Sequence, residues 1–111
     1  MSRKDPLVFV RDMIYQIEII LEELPGISKD EFLSRPFYQN ALIRSLEIIG
    51  EAAKGVNEEF RLAHSGIPWR QIAGMRDKLA HGYATVDLEE TWNTLIHDIP
   101  PLYEMLMQLI N

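Results

Sequence analysis

Residues 36–63 read PFYQNALIRSLEIIGEAAKGVNEEFRLA, and the spacing of their apolar positions decides the fold. Leu42, Leu46, Ile49, Ala53, Val56 and Phe60 recur at intervals of 4-3-4-3-4, the repeat by which a helix keeps one seam against a neighbour. Beside that seam runs a second line of small and apolar residues, Ala41, Ser45, Ile48, Ala52 and Gly55. The core of one bundle does not use both lines, so this is either a central helix or one that pairs with another subunit. Gly50 and Gly55 fall inside the pattern, where glycine costs roughly 1 kcal/mol relative to alanine. Close approach of another backbone is the expected compensation. The pattern predicts one long helix from about Pro36 to Ala63.

Working outward, helices continue on both sides. Upstream, Val10, Met13, Ile14, Ile17, Leu21 and Leu24 form one stripe of a helix from about Asp5 to Leu24, which Pro25-Gly26 ends. Ser28 followed three residues later by Glu31 is a capping box that opens a short helix closed before Pro36, a residue suited to a first helical turn. Downstream, His64 to Ile67 form a turn, and Pro68 begins a helix carrying Trp69, Ile72, Met75 and Leu79 that should end near Gly82. Asp87 with Glu90 opens the last helix, whose stripe of Leu88, Trp92, Leu95, Ile99, Leu102, Leu106 and Leu109 keeps its spacing through Pro100-Pro101. A kink is expected there rather than an end. No strand-like alternation interrupts the series. The fold class is all-α, an antiparallel four- to five-helix bundle with short connections and one domain spanning residues 1–111.

Composition bounds the function. Hydrophobic residues make up 47% and charged residues 25%, the balance of an ordinary globular chain that buries a core. Cysteine is absent, which removes disulfides and thiolate metal sites and points to a reducing cytoplasm. No apolar run approaches a membrane span, and the opening MSRKDPLVFV lacks the form of a secretion signal. The formal charge of −6 argues by itself against a nucleic-acid binder. Its distribution qualifies that: from Arg35 to Tyr83 seven basic residues stand against five acidic ones, a local +2, and the remainder carries −8. A basic centre between acidic ends suits a phosphate backbone, and it suits equally well a set of solvated helix faces.

The segment with chemical content is Arg76-Asp77-Lys78-Leu79-Ala80-His81-Gly82-Tyr83. At 100° per residue Asp77 and His81 share a helix face, while Arg76 lies 140° from His81, so the three line adjacent edges of a groove. At a helix C-terminus the dipole and the Asp77 carboxylate both favour the imidazolium, which makes His81 a candidate proton shuttle near neutral pH. Arg76 stays charged and offers a fork of donors that fits phosphate oxygens. Arginine with histidine fits one economical reaction, attack of an RNA 2′-hydroxyl on its own phosphodiester, with no metal or cofactor in the residue set. One histidine does not readily serve as base and acid together, so two copies across a symmetric interface are expected. The bland alternative stays open on spacing alone: His81 as a helix-capping group, Arg76 and Asp77 as surface charge.

These residues stand within a wider pattern. Arg76-x4-His81-x-Tyr83 resembles the R-x4-H-x-Y signature of HepT-like toxins in the HEPN superfamily, the higher eukaryotes and prokaryotes nucleotide-binding group. Residues Ala41 to Ala52 resemble the long-helix block of that family with its Ile-Gly-Glu-Ala sequence, and Ile67 to Met75 resemble its Ile-Pro-Trp block leading to Gly-Met-Arg. Val86-Asp87-Leu88, Trp92 and Ile99 to Leu102 resemble its tail, so the likeness covers nearly the whole chain. It implies a homodimeric endoribonuclease with its cleft at the interface, the toxin of a type II/VII-like toxin–antitoxin pair that cuts RNA, with transfer RNA as the suggested substrate. It further implies that Arg76 and His81 are catalytic, that Asp77 assists, and that Tyr83 receives AMP from ATP through a nucleotidyltransferase antitoxin of the MntA type.

Other residues carry less. Arg70 and Lys78 are candidate RNA contacts or merely solvated charges. His64 is read as a turn or capping residue, His97 as a hydrogen-bonding member of the bundle, and Trp69 and Trp92 as packing residues. Two further classes remain at this level: a non-catalytic module that binds nucleotide or docks a nucleotidyltransferase, and a purely structural dimerisation domain.

Overall fold

The structure, a computed structural model, describes residues 5–80 and 86–111. Helix α1 spans Pro6–Glu23 and runs into a 3₁₀ turn, Leu24–Gly26; α2 spans Lys29–Ser34 and α3 Pro36–Gly55. Then come α4 (Glu58–Ala63), α5 (Trp69–Ala80), α6 (Leu88–Asn93), a π-helical turn over Thr94–Asp98, and α7 (Ile99–Ile110). No strand occurs among the described residues, and none of their helices is long and apolar enough to cross a membrane. The all-α architecture matches the expectation.

The helix starts follow local chemistry. Asp5 accepts from the Leu7 N–H at 2.9 Å with Pro6 in the first turn of α1. Ser28 and Glu31 form the reciprocal pair: the Glu31 N–H donates to Ser28 Oγ at 3.1 Å, and the Ser28 N–H donates to the Glu31 carboxylate at 3.0 Å. Those bonds favour the ionised carboxylate and hold Glu31 below its usual titration range. Asp87 caps α6 through the Glu90 N–H at 3.1 Å. Gln39, one turn into α3, donates to the carbonyls of Phe32 and Leu33 at 3.0 and 3.2 Å and so closes the end of α2.

Two elements differ from the sequence reading. The helix expected to reach Ala63 stops at Gly55. Val56 and Asn57 are extended, and Asn57 starts α4 by accepting from the Phe60 N–H at 2.8 Å, with Glu58 and Glu59 in the first turn beside the helix dipole. Arg61 reaches back across the break: its Nε donates to the Val56 carbonyl at 3.1 Å and its Nη2 to the Ala53 carbonyl at 2.6 Å, covering acceptors that α3 leaves open. Near Pro100-Pro101 the disturbance is a π turn placed ahead of the prolines, marked by the Ile99 N–H donating to the Thr94 carbonyl five residues back. Two prolines supply no N–H to the carbonyls of Ile96 and His97, and the wider turn relieves their rings from the preceding turn.

Helix α3 is the central member. Its buried residues Leu42, Ile43, Ser45, Leu46, Ile49, Gly50, Ala52 and Ala53 cover about half of its circumference, with α1 and α5 both packed on it, while Ala41 and Gly55 of the second line are exposed and Ile48 is half-buried. Both neighbours are antiparallel to it. The Phe9 ring near the start of α1 lies over Gly55 at the end of α3, and Lys54 and Gly50 meet the middle of α5 while Leu46 lies nearer its end. α1 contributes Val10, Met13, Ile17 and Ile20, and the last run contributes Leu95, Ile99 and Leu106, all fully buried. Fully buried Phe32 packs on Trp92 with ring centroids 5.4 Å apart, which seats α2 against α6. The Tyr103 hydroxyl donates to the Glu18 carboxylate at 2.9 Å and joins α7 to α1.

Candidate active site

The site is built where α5 crosses α3. A Cβ placed on Gly50 would lie 2.6 Å from Arg76 Cβ, 2.8 Å from the Ile72 carbonyl oxygen and 2.9 Å from Arg76 N. Real Cβ atoms do not approach so closely, so α5 reaches this depth only because position 50 has no side chain. The close approach expected for Gly50 is thus a backbone crossing, centred on Arg76. At Gly55 the same space is filled by the Phe9 ring.

With its stem fixed against Gly50, Arg76 turns its head outward, and its side chain is 40% exposed. Nη1 lies 3.6 Å from Asp77 Oδ1, and Lys54 Nζ on α3 lies 2.5 Å from that same oxygen. One carboxylate therefore stands between two cations contributed by two helices. All three side chains are solvent-facing, so the arrangement adds little to stability, about 0–1 kcal/mol per pair. What it fixes is geometry: Asp77 is held between its partners, and the Arg76 guanidinium keeps donors facing solvent, as phosphate recognition requires.

Of the residues singled out in the sequence, Arg76 and Asp77 come together, whereas His81 and Tyr83 lie outside the described residues, as does the expected end of α5 near Gly82. Arg70 is exposed on α5 and lines a groove of about 800 Å³ together with Lys54, Arg61, Glu58 and Trp69. Lys78 points the other way, where its Nζ lies 2.6 Å from Glu90 and ties α5 to α6. His64 ends α4, its ring tilted against that of Phe60 with centroids 4.5 Å apart and its carbonyl accepting from Trp69 Nε1 at 3.0 Å, in keeping with a capping role. His97 is exposed within the π turn, and Trp69 and Trp92 are buried. Lys54 escaped the sequence reading. Its signal is its position one turn after Gly50, on the face that meets α5. Among the described residues no group of three or more His, Asp or Glu side chains is placed to hold a metal ion.

A helical bundle whose central helix carries a glycine crossing, with an arginine and an acid raised at that crossing, is a small all-α protein consistent with the HEPN-like fold that the sequence resemblance implies. The chain belongs to the HepT-like ribonuclease family, whose model matches residues 13–109. It is 40% identical to a protein of Caldanaerobacter subterraneus subsp. tengcongensis that carries a provisional RNase name, over 96% of each chain. It is 45% identical to a protein of Thermococcus cleftensis named "Probable ribonuclease HepT", across 91% of this chain and 89% of that one. A Methanocaldococcus jannaschii protein, named for a gamma-glutamylcyclotransferase joined to a provisional RNase, is 40% identical over 97% of this chain and 49% of its own length. No solved structure gives a significant match.

Proposed function

We propose that this protein is the toxin of a toxin–antitoxin pair and acts as a metal-independent endoribonuclease. The observation that carries the reading is the placement of Arg76 at the Gly50 crossing, within a chain of the HepT-like family that retains Arg76-x4-His81-x-Tyr83. In the reaction an RNA 2′-hydroxyl attacks the adjacent phosphorus, the bond to the 5′-oxygen breaks, and a 2′,3′-cyclic phosphate and a 5′-hydroxyl end result. His81 moves the proton, and Arg76 neutralises charge growing on the non-bridging oxygens. Asp77 orients Arg76. A homodimer brings a second His81 to the cleft, so that one histidine accepts a proton while the other donates one.

Tyr83 makes the site a switch. Its hydroxyl attacks the α-phosphate of ATP on a nucleotidyltransferase antitoxin of the MntA type, pyrophosphate leaves, and the attached AMP places bulk and negative charge where the substrate phosphate must lie. Transfer RNA is the first substrate to try. Purified wild type in EDTA should cleave it to cyclic-phosphate ends, and Arg76→Ala and His81→Ala should each lose that cleavage and the growth inhibition that accompanies it. Retention of full activity by either variant rejects the reading and leaves a non-catalytic partner-docking module. For the switch, incubation with the cognate transferase and ATP should add AMP-sized mass that Tyr83→Phe abolishes.

A further inference from the structure

One glycine has no reason within the folded chain. Gly74 lies in the interior of α5, exposed, and a Cβ built there meets nothing within 4 Å. Alanine would fit without strain and would favour the helix. The contrast with Gly50, whose bare Cα is demanded by α5, is complete. A glycine without an internal reason in a helix marks a surface that another molecule approaches closely.

The surroundings say which kind. At 100° per residue Arg70, Gly74 and Asp77 fall on one face of α5, within about 60° of arc and about 10 Å of rise. Arg70 and Lys54 flank that face from the groove of about 800 Å³, and Arg70 forms no ion pair among the described residues. Arg61 in the same groove is committed to the carbonyls of Val56 and Ala53. Lys54, Arg61, Arg70 and the neighbouring Arg76 outnumber Asp77 and Glu58, so the strip is positive. A second copy placed symmetrically on it would bring that excess charge against itself; a phosphodiester chain would not.

We propose that the strip Arg70–Gly74–Asp77, with Lys54 at its edge, seats the RNA backbone flanking the cut, and that Gly74 is kept bare so that the strand lies directly on the helix. This rests on the ribonuclease reading above and adds the path of the substrate. Arg70 and Lys54 take successive phosphates, and the strand is led along α5 towards Arg76.

The test uses the whole chain and a fluorescent 2′-O-methyl RNA oligonucleotide, which lacks the attacking hydroxyl. Gly74→Ala should melt about 4 °C higher than wild type, as expected for alanine in an exposed helix interior, while binding the oligonucleotide at least tenfold more weakly. Arg70→Gln should weaken binding and reduce the slope of log affinity against log salt by about one. Gly26→Ala, in the 3₁₀ turn with open space about it, should bind as wild type. Unchanged RNA affinity in Gly74→Ala overturns the proposal, as does an unchanged salt slope in Arg70→Gln. So does a Gly74→Ala protein that loses self-association in sedimentation yet binds RNA normally, an outcome that would assign the strip to a second copy. If Gly74→Ala and Arg70→Gln bind normally while Arg76→Ala has lost cleavage, the substrate path falls and the ribonuclease stands.

Discussion

One methyl group added at position 50 tests how Arg76 is held. In Gly50→Ala the new carbon meets backbone atoms of α5 as well as Arg76 Cβ, none of which is the far end of a flexible side chain. Overpacking of this kind costs about 1–3 kcal/mol. The expected outcome is a lower urea midpoint accompanied by lost RNA cleavage, and a variant as stable as wild type would contradict the crossing described above. Lys54→Met should behave differently: because its pair with Asp77 is exposed, stability should change by less than about 1 kcal/mol, while RNA affinity falls. That Arg76 and Asp77 lie together was legible in the sequence because they are neighbours on one helix, while the roles proposed for them came from the resemblance. Lys54 was not, because its role depends on a crossing between residues 23 apart in the chain.

At the scale of elements, the sequence located three of the four described helix starts that a capping side chain defines, at Asp5, Ser28 and Asp87, and missed the fourth, at Asn57, running α3 and α4 together. The reason is physical. Val56 is buried and Phe60 half-buried against the same core, so the 4-3 spacing continues across a break that periodicity does not sense. The local signal was present in Asn57-Glu58-Glu59, a capping residue followed by two acids. Arg61→Met should uncover the carbonyls of Ala53 and Val56 and cost about 1–3 kcal/mol, measurable as a shift in denaturation midpoint. The capping box of α2 gives a pH signature. The Glu31 carboxyl titrates lower in the fold than in the unfolded chain, so its contribution is present above the ordinary carboxylate range and is lost as the pH falls through the lowered value. Ser28→Ala should therefore flatten the acid limb of the stability profile.

For the whole molecule, the stripe of the last run was read correctly from spacing, since Trp92, Leu95, Ile99, Leu102 and Leu106 are all buried, whereas of the second line on α3 only Ser45 and Ala52 are buried. The π turn was not, because two prolines announce a disturbed helix without saying how it adjusts. Phe32→Ala removes a fully buried ring that joins α2 to Trp92 and should cost about 3–5 kcal/mol, enough to abolish cooperative unfolding in a marginal chain. At high pH the tie between α1 and α7 weakens. Glu18 accepts a hydrogen bond from the Tyr103 hydroxyl and raises its ionisation above the usual phenol range, so this contribution is complete below the unfolded value and is lost as the pH rises through the folded one. Tyr103→Phe should lower the neutral plateau by that contribution and remove the alkaline decline.

The two glycines of the α3–α5 pair also separate two kinds of selection. A library of substitutions at position 50, sorted for folded protein, would be purged before any question of activity arose. On the substrate path proposed above, a library at position 74 would pass the same sort enriched in alanine and lose its members only in a selection for RNA cleavage. A chain drifting without that selection would thus keep Gly50 and shed Gly74, leaving in its sequence a record of when cleavage ceased to matter.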